Sequence, residues 1–110
     1  MKTYTGRRRR GGACQVTVKN GGDVRPLPLR LDLYNHSPTG FEWGYGGSGP
    51  AQLALALLAD VLGDNGRAVR MHQWFKFKVV GRLPRNDDWT LTETEILAVV
   101  CELWMAGDDA

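Results

Sequence analysis

Gly46-Gly47-Ser48-Gly49-Pro50-Ala51-Gln52-Leu53-Ala54-Leu55-Ala56-Leu57-Leu58-Ala59-Asp60-Val61-Leu62-Gly63 is the stretch at which this chain changes character. Its first five residues are turn formers, whereas Ala51 to Leu62 is dominated by alanine and leucine, which are strong helix formers. Pro50 is tolerated in a first helical turn because the N–H it lacks would be unpaired there anyway. Ser48 or Gly49 is the expected N-cap and Gly63 the expected stop, since glycine readily takes the left-handed conformation that ends helices. The helix is apolar nearly all round, so it is expected to be buried on several sides and to form the centre of the fold.

On the N-terminal side the pattern is that of a sheet. Cys14 to Lys19 alternates apolar and polar residues and is rich in β-branched types. Asn20-Gly21-Gly22-Asp23 supplies a tight hairpin connection, and Leu27 to Tyr34 is the expected second arm, with Leu29, Leu31 and Leu33 on one face. Pro26 and Pro28 cannot donate ladder bonds and put the start of that arm at an edge. Asn35 to Gly40 reads as a turn, and Phe41 to Tyr45 as a third short strand with Phe41, Trp43 and Tyr45 on one face.

On the C-terminal side, residues 67–83 satisfy two periods. Phe75, Phe77 and Val79 alternate with Lys76 and Lys78, yet Met71, Phe75, Val79 and Leu83 repeat every four residues. Length and the stop before Pro84 favour a helix, with Arg67, Arg70, Trp74 and Lys78 on one face. Thr92-Glu93-Thr94-Glu95 reads as a capping box, followed by an apolar stripe of Ile96, Val99, Val100 and Leu103, with Trp89 beside the helix start. The expected fold is α+β: a small N-terminal antiparallel sheet of three or four strands packed on three C-terminal helices. It forms a single domain over 1–110, with a basic arm or edge strand at 1–12, a β part at 13–45 and a helical part at 49–105.

Composition bounds the function. A length of 110 residues is one domain's worth, and 43% hydrophobic residues suffice for a core. The longest apolar run, Leu53 to Leu62, is far short of a membrane span and no signal peptide opens the chain, so a soluble cytoplasmic protein with no membrane partner is expected. Cys14 and Cys101 are expected to be free thiols. The net charge of +2 is uneven: Lys2 and Arg7 to Arg10 lie within the first ten residues, and the rest carries 9 basic against 12 acidic residues. The basic character therefore belongs to one end, and the body is mildly acidic.

Two kinds of site are open. The glycine-rich turn Gly46, Gly47, Ser48 and Gly49 opens a helix and could hold an anion or small ligand, with His36 and Glu42 nearby in sequence; a structural turn is the plainer reading. Glu42 is the one acid in the aromatic row, and His36 or Arg30 would satisfy it. His36 in its turn is expected to bond the backbone. The arm Arg7, Arg8, Arg9 and Arg10, together with Trp43, could bind nucleic acid, although core packing is the plainer role of the aromatic row. No nucleophile, base and orienting acid stand at a recognisable spacing, and Cys14, His36, His72 and Cys101 lack paired metal-ligand spacing. No catalytic residue, metal or cofactor is therefore assigned.

The stretch from Asn35-His36-Ser37-Pro38 through Gly40-Phe41-Glu42-Trp43-Gly44-Tyr45 to Gln52-Leu53-Ala54 resembles the signature of an uncharacterised prokaryotic family of unknown function. The resemblance extends from Tyr4-Thr5-Gly6-Arg7-Arg8 through Phe75-Lys76 and Arg82-Leu83-Pro84 to Trp89-Thr90-Leu91-Thr92. Members of that family are often carried on plasmids, prophages and other mobile elements, which implies an accessory protein acting by binding. The expected partner is a host or element protein, slightly ahead of nucleic acid because the body of the domain is acidic. The resemblance also implies that Tyr4 to Arg8 belongs to the domain as an edge strand. An enzyme or ligand-binding domain at the glycine-rich turn stays open as a further alternative.

Overall fold

The computed structural model describes residues 1–9, 11 and 14–105. Three strands come first, β1 (Lys2–Arg8), β2 (Cys14–Asn20) and β3 (Asp23–Pro26), followed by helices α1 (Ser48–Leu62) and α2 (Asn65–Lys78). A single 3-10 turn over Val80–Arg82 leads to β4 (Trp89–Thr92) and to the last helix, α3 (Glu93–Met105). All strand pairs are antiparallel and the order is β3-β2-β1-β4. The α+β class, the four-stranded antiparallel sheet and the three helices agree with the sequence reading.

The origin of the strands differs from that reading. Lys2–Arg8 is neither a loose arm nor an edge strand: it pairs with β2 on one side and β4 on the other, and so lies inside the sheet. The fourth strand comes from between α2 and α3, inside the part of the chain read as helical. The hairpin at Gly21-Gly22 forms, with Gly21 at φ 64, but its second arm ends at Pro26. Leu27 to Tyr34 is not a strand. Pro26 and Pro28 cannot continue the ladder, and Arg30 takes a positive φ of 59, which no strand accommodates. Phe41 to Tyr45 is also irregular, because Gly44 at φ 86 turns the backbone and sends its N–H to the Val80 carbonyl at 3.0 Å.

The helices follow their local signals closely. Gly63 ends α1 at φ 64 and returns its N–H to the Ala59 carbonyl. The N-cap is Gly47, one residue before the positions expected, and no side chain caps it. Residues 67–83 resolve as helix up to Lys78, capped at the start by Asp64, whose carboxylate accepts from the Arg67 N–H. Thr92 and Glu95 form the reciprocal capping box of α3, at 3.1 and 2.8 Å.

Helix α1 is buried continuously from Gly49 to Ala59. One of its sides takes the inner face of the sheet, where Tyr4, Val16, Val18 and Trp89 are buried, and others take Phe75 of α2 and Ile96, Val100 and Leu103 of α3. Asp60, near its end, fastens the sheet: its carboxylate accepts from the Tyr4 hydroxyl at 2.6 Å, Arg25 at 2.9 Å and Lys2 at 3.3 Å. Burial opposes its ionisation, but the Tyr4 and Arg25 hydrogen bonds outweigh that and hold its carboxyl below the usual range. The same burial and bond drive the Tyr4 hydroxyl far above its ordinary value.

The β1–β4 seam has the tightest steric requirement. Gly6 and Trp89 are cross-strand partners, and the Trp89 indole lies where a side chain on Gly6 would be. Replacing Gly6 with alanine forces the indole out of its buried position, and its expected cost in chemical denaturation is about 2 kcal/mol or more, as for other overpacked cores.

Candidate functional site

Residues of the glycine-rich turn and its approach fall into two clusters around the first turns of α1. Gly49 faces Glu42, whose Cβ lies 2.6 Å from where a Cβ on Gly49 would stand, so only glycine fits there. Glu42 forms a two-pronged ion pair with Arg8, at 2.8 and 3.2 Å, and Arg8 also reaches the Cys14 sulfur at 3.1 Å. The Arg8 hydrogen bond holds the Glu42 carboxyl below its usual range, while burial and the Glu42 bond push the Cys14 thiol up. Thus Glu42 is satisfied by Arg8 rather than by His36 or Arg30; Arg30 pairs with Asp32. The negative charge beside the first turn of α1 is the protein's own.

Arg8 also covers the ring of Trp43 at 4.7 Å, and Trp43 meets Trp89 edge-on at 5.6 Å. Trp43 is fully buried and its indole N–H donates to the Asp87 carbonyl, so its ring serves the core. Tyr45 packs against Gly47 and lies under the Arg85 guanidinium at 4.7 Å. A small polar pocket of about 150 Å3 opens here among Arg8, Glu42, Tyr45, Arg85 and Asn86. Of the other arginines read as an arm, Arg7 is exposed, Arg9 bonds the Gln15 side chain at 2.6 Å, and Arg10 lies outside the described residues.

The second cluster belongs to Gln52, one turn further along α1. Gln52 is fully buried with all its polar capacity used. Its oxygen accepts from the backbone N–H groups of His36 and Ser37 at 2.7 and 2.9 Å, and its nitrogen donates to the carbonyls of Leu29 and Tyr34 at 2.6 and 3.0 Å. The His36 ring does not bond the backbone as expected. Its Nε2 meets the Nε2 of His72, on α2, at 2.9 Å, and Tyr34 stacks on it at 4.2 Å. His72 donates Nδ1–H to the Val69 carbonyl at 2.6 Å, so its Nε2 is the acceptor and His36 the donor. His36 and Glu42 therefore work in separate clusters. Sequence reasoning singled out neither Gln52 nor His72; the one amide in an otherwise apolar helix start was the available signal.

A third feature lies on the opposite side of α2 and was not read as a site. Trp74, Phe77, Trp104 and Met105 are exposed by 44, 65, 40 and 80%. A groove of about 630 Å3 runs between α2 and α3, past Trp74, Lys78, Ala98, Cys101, Leu103 and Met105. A second of about 420 Å3 shares Trp74 and Lys78 with it and continues past Phe77 to Arg82. Arg67 lies over the Trp104 ring at 4.2 Å and Lys76 over Phe77 at 4.7 Å. The expected sharing of one face by Arg67, Arg70, Trp74 and Lys78 contained the clue, since a helix with one aromatic on its charged side has that ring facing solvent. Among the described residues no group of three or more metal-ligating side chains comes together. None of the described helices is long and apolar enough to cross a membrane.

Two outcomes follow from the Gln52 and histidine cluster. Gln52→Leu strands two N–H and two C=O groups at once, and the expected loss in denaturant unfolding is about 3 kcal/mol or more. Burial, joined for His36 by the neighbouring His72 and for both rings by Lys76, holds both imidazoles below their ordinary value of 6.5. The unfolded chain therefore takes up protons first as pH falls. The stabilisation is complete above 6.5 and is lost as pH drops through the folded values. Unfolding curves between pH 7 and pH 5 are expected to show falling stability, and the double variant His36→Gln/His72→Gln a shallower slope.

Comparison with known proteins returns a family but no activity. No curated protein and no solved structure shows significant similarity to the chain. A family model described as "Family of unknown function (DUF6166)" matches residues 4–102, from the first interior strand into the last helix. With nearly the whole described fold inside the match, the chain belongs to this family of unknown function.

Proposed function

We propose that this chain is a non-enzymatic accessory protein that acts by binding another protein, and that the α2–α3 face is where it does so. The observation that carries the reading is the presence of exposed Trp74, Phe77 and Met105 in the lining of two adjoining grooves. Single exposed apolar residues are ordinary on a monomer, whereas a grooved cluster of tryptophan, phenylalanine and methionine has the composition of an interface core. An origin on a mobile element is part of the reading and rests on the resemblance alone.

A second reading, nucleic-acid binding, is favoured by the cations on α2 more than by the arginine arm. Arg8 is engaged by Glu42 and Trp43 is buried, which leaves stacking to the exposed rings of α2 and α3. An anion site at Gly46 to Gly49 has less support, because Glu42 already lies against that helix start.

The test is affinity capture from lysate of the source cell, with and without nuclease treatment, with wild type beside Trp74→Ser/Phe77→Ser. Both side chains are exposed, so the variant is expected to fold normally by circular dichroism. The expected result is a protein retained by wild type and lost by the variant. Retention by both moves the interface elsewhere, and capture that depends on undigested nucleic acid supports the second reading.

A further inference from the structure

The α2 face is charged in one sense. Between Asn65 and Asn86 the chain carries Arg67, Arg70, Lys76, Lys78, Arg82 and Arg85 and no acidic residue. Among the described residues none of these six pairs with a carboxylate; the ion pairs use Lys2, Arg8, Arg25 and Arg30 instead. Three of the six lie over aromatic rings, Trp104, Phe77 and Tyr45. Glu102 is the one carboxylate lining the larger groove. The mildly acidic body therefore has a cationic side, and it coincides with the exposed rings.

Resting on the protein-binding reading above, we infer that the occupant of the α2–α3 groove is an acidic amphipathic helix of another protein. Trp74 and Lys78 line both grooves, which therefore adjoin, and their mainly apolar lining carries the cations Lys78 and Arg82. Apolar anchors at helical spacing fill such grooves, while carboxylates on the flanks of the same helix meet Lys78 and Arg82. Each alternative occupant leaves something unmet. A second copy of this chain would bring two cationic α2 faces together. A nucleic-acid backbone would answer the cations but leave the apolar walls by Leu103 and Met105 unfilled. Charge complementarity of this kind selects the partner and speeds encounter more than it adds affinity.

The test uses synthetic helices of about 18 residues, with leucine and phenylalanine at i, i+3, i+4 and i+7. One carries glutamate at the remaining positions and its twin lysine, and both are titrated by isothermal calorimetry against the full chain, with single-stranded RNA in parallel. The acidic helix is expected to bind at least about tenfold more tightly than its twin, to weaken as salt rises, and to lose about tenfold on Lys78→Glu/Arg82→Glu. Trp74→Ser/Phe77→Ser is expected to abolish binding while the circular dichroism spectrum is unchanged. Equal binding of the twins, no binding of the acidic helix, tighter binding of RNA through the same residues, or self-association that closes the groove each overturns the inference. A partner captured through Trp74 and Phe77 but indifferent to Lys78→Glu/Arg82→Glu also overturns it, and leaves the protein-binding reading standing.

Discussion

The amide of Gln52 is the contact on which the irregular half of this molecule depends. The chain from Pro28 to Gly40 lies in neither a strand nor a helix that would satisfy its backbone, and a buried peptide group without a partner is costly. One side chain, projecting from the most buried helix, takes up four of those groups at once. The backbone of that segment is thereby fixed at both ends of its bend, at Leu29 and Tyr34 on one side and at His36 and Ser37 on the other. The ring of His36 can meet His72 across to α2 only because its own backbone is held to α1.

Buried polar groups elsewhere follow the same logic of convergence on α1. Asp60 gathers Tyr4, Arg25 and Lys2 from two strands near the end of the helix, and the Glu42–Arg8 pair joins β1 to the approach of its first turn. Between these ends, Gln52 apart, the buried residues of the helix are small or apolar. Three polar junctions, near the start, one turn along and near the end, thus set the register of sheet and loop against a helix whose apolar surface alone would accept many registers. On the outer side of α2 lie exposed rings and cations that, among the described residues, pair with no carboxylate.

Much of this was legible where the signal is local. The Ala/Leu run, Gly63, the Gly21-Gly22 turn and the Thr92–Glu95 box each fix an element through residues within a few positions of one another. The strand at Trp89–Thr92 was harder, because the one strand it pairs with, Lys2–Arg8, stands more than 80 residues away in the chain. Leu27 to Tyr34 misled because its alternation is genuine, while what prevents a strand, two prolines and a distant glutamine, outweighs periodicity. The histidine pair obeys no spacing rule, since its members stand 36 positions apart with the whole of α1 between them. The acid-free run from Asn65 to Asn86 is written in the sequence as well, but its cations are spread more thinly than those at the start of the chain. Two of the latter are put to structural use: Arg8 serves an internal ion pair, and Lys2 binds Asp60.

The position of β1 inside the sheet has a consequence for synthesis. Its partner β2 follows within a dozen residues, so the two can pair as soon as both emerge, but its other edge is matched only by β4, after α1 and α2 have been made. For most of the time the chain is growing, a row of unpaired backbone groups from Thr3 to Gly6 faces outward, and such an edge is a template for strand addition by any extended neighbour. The side chains on that edge alternate Tyr4 and Gly6 inward with Thr3 and Thr5, and none of these four carries a charge to deter it. Late closure by a four-residue strand makes the growing chain, rather than the finished fold, the state in which this edge is open to misassembly.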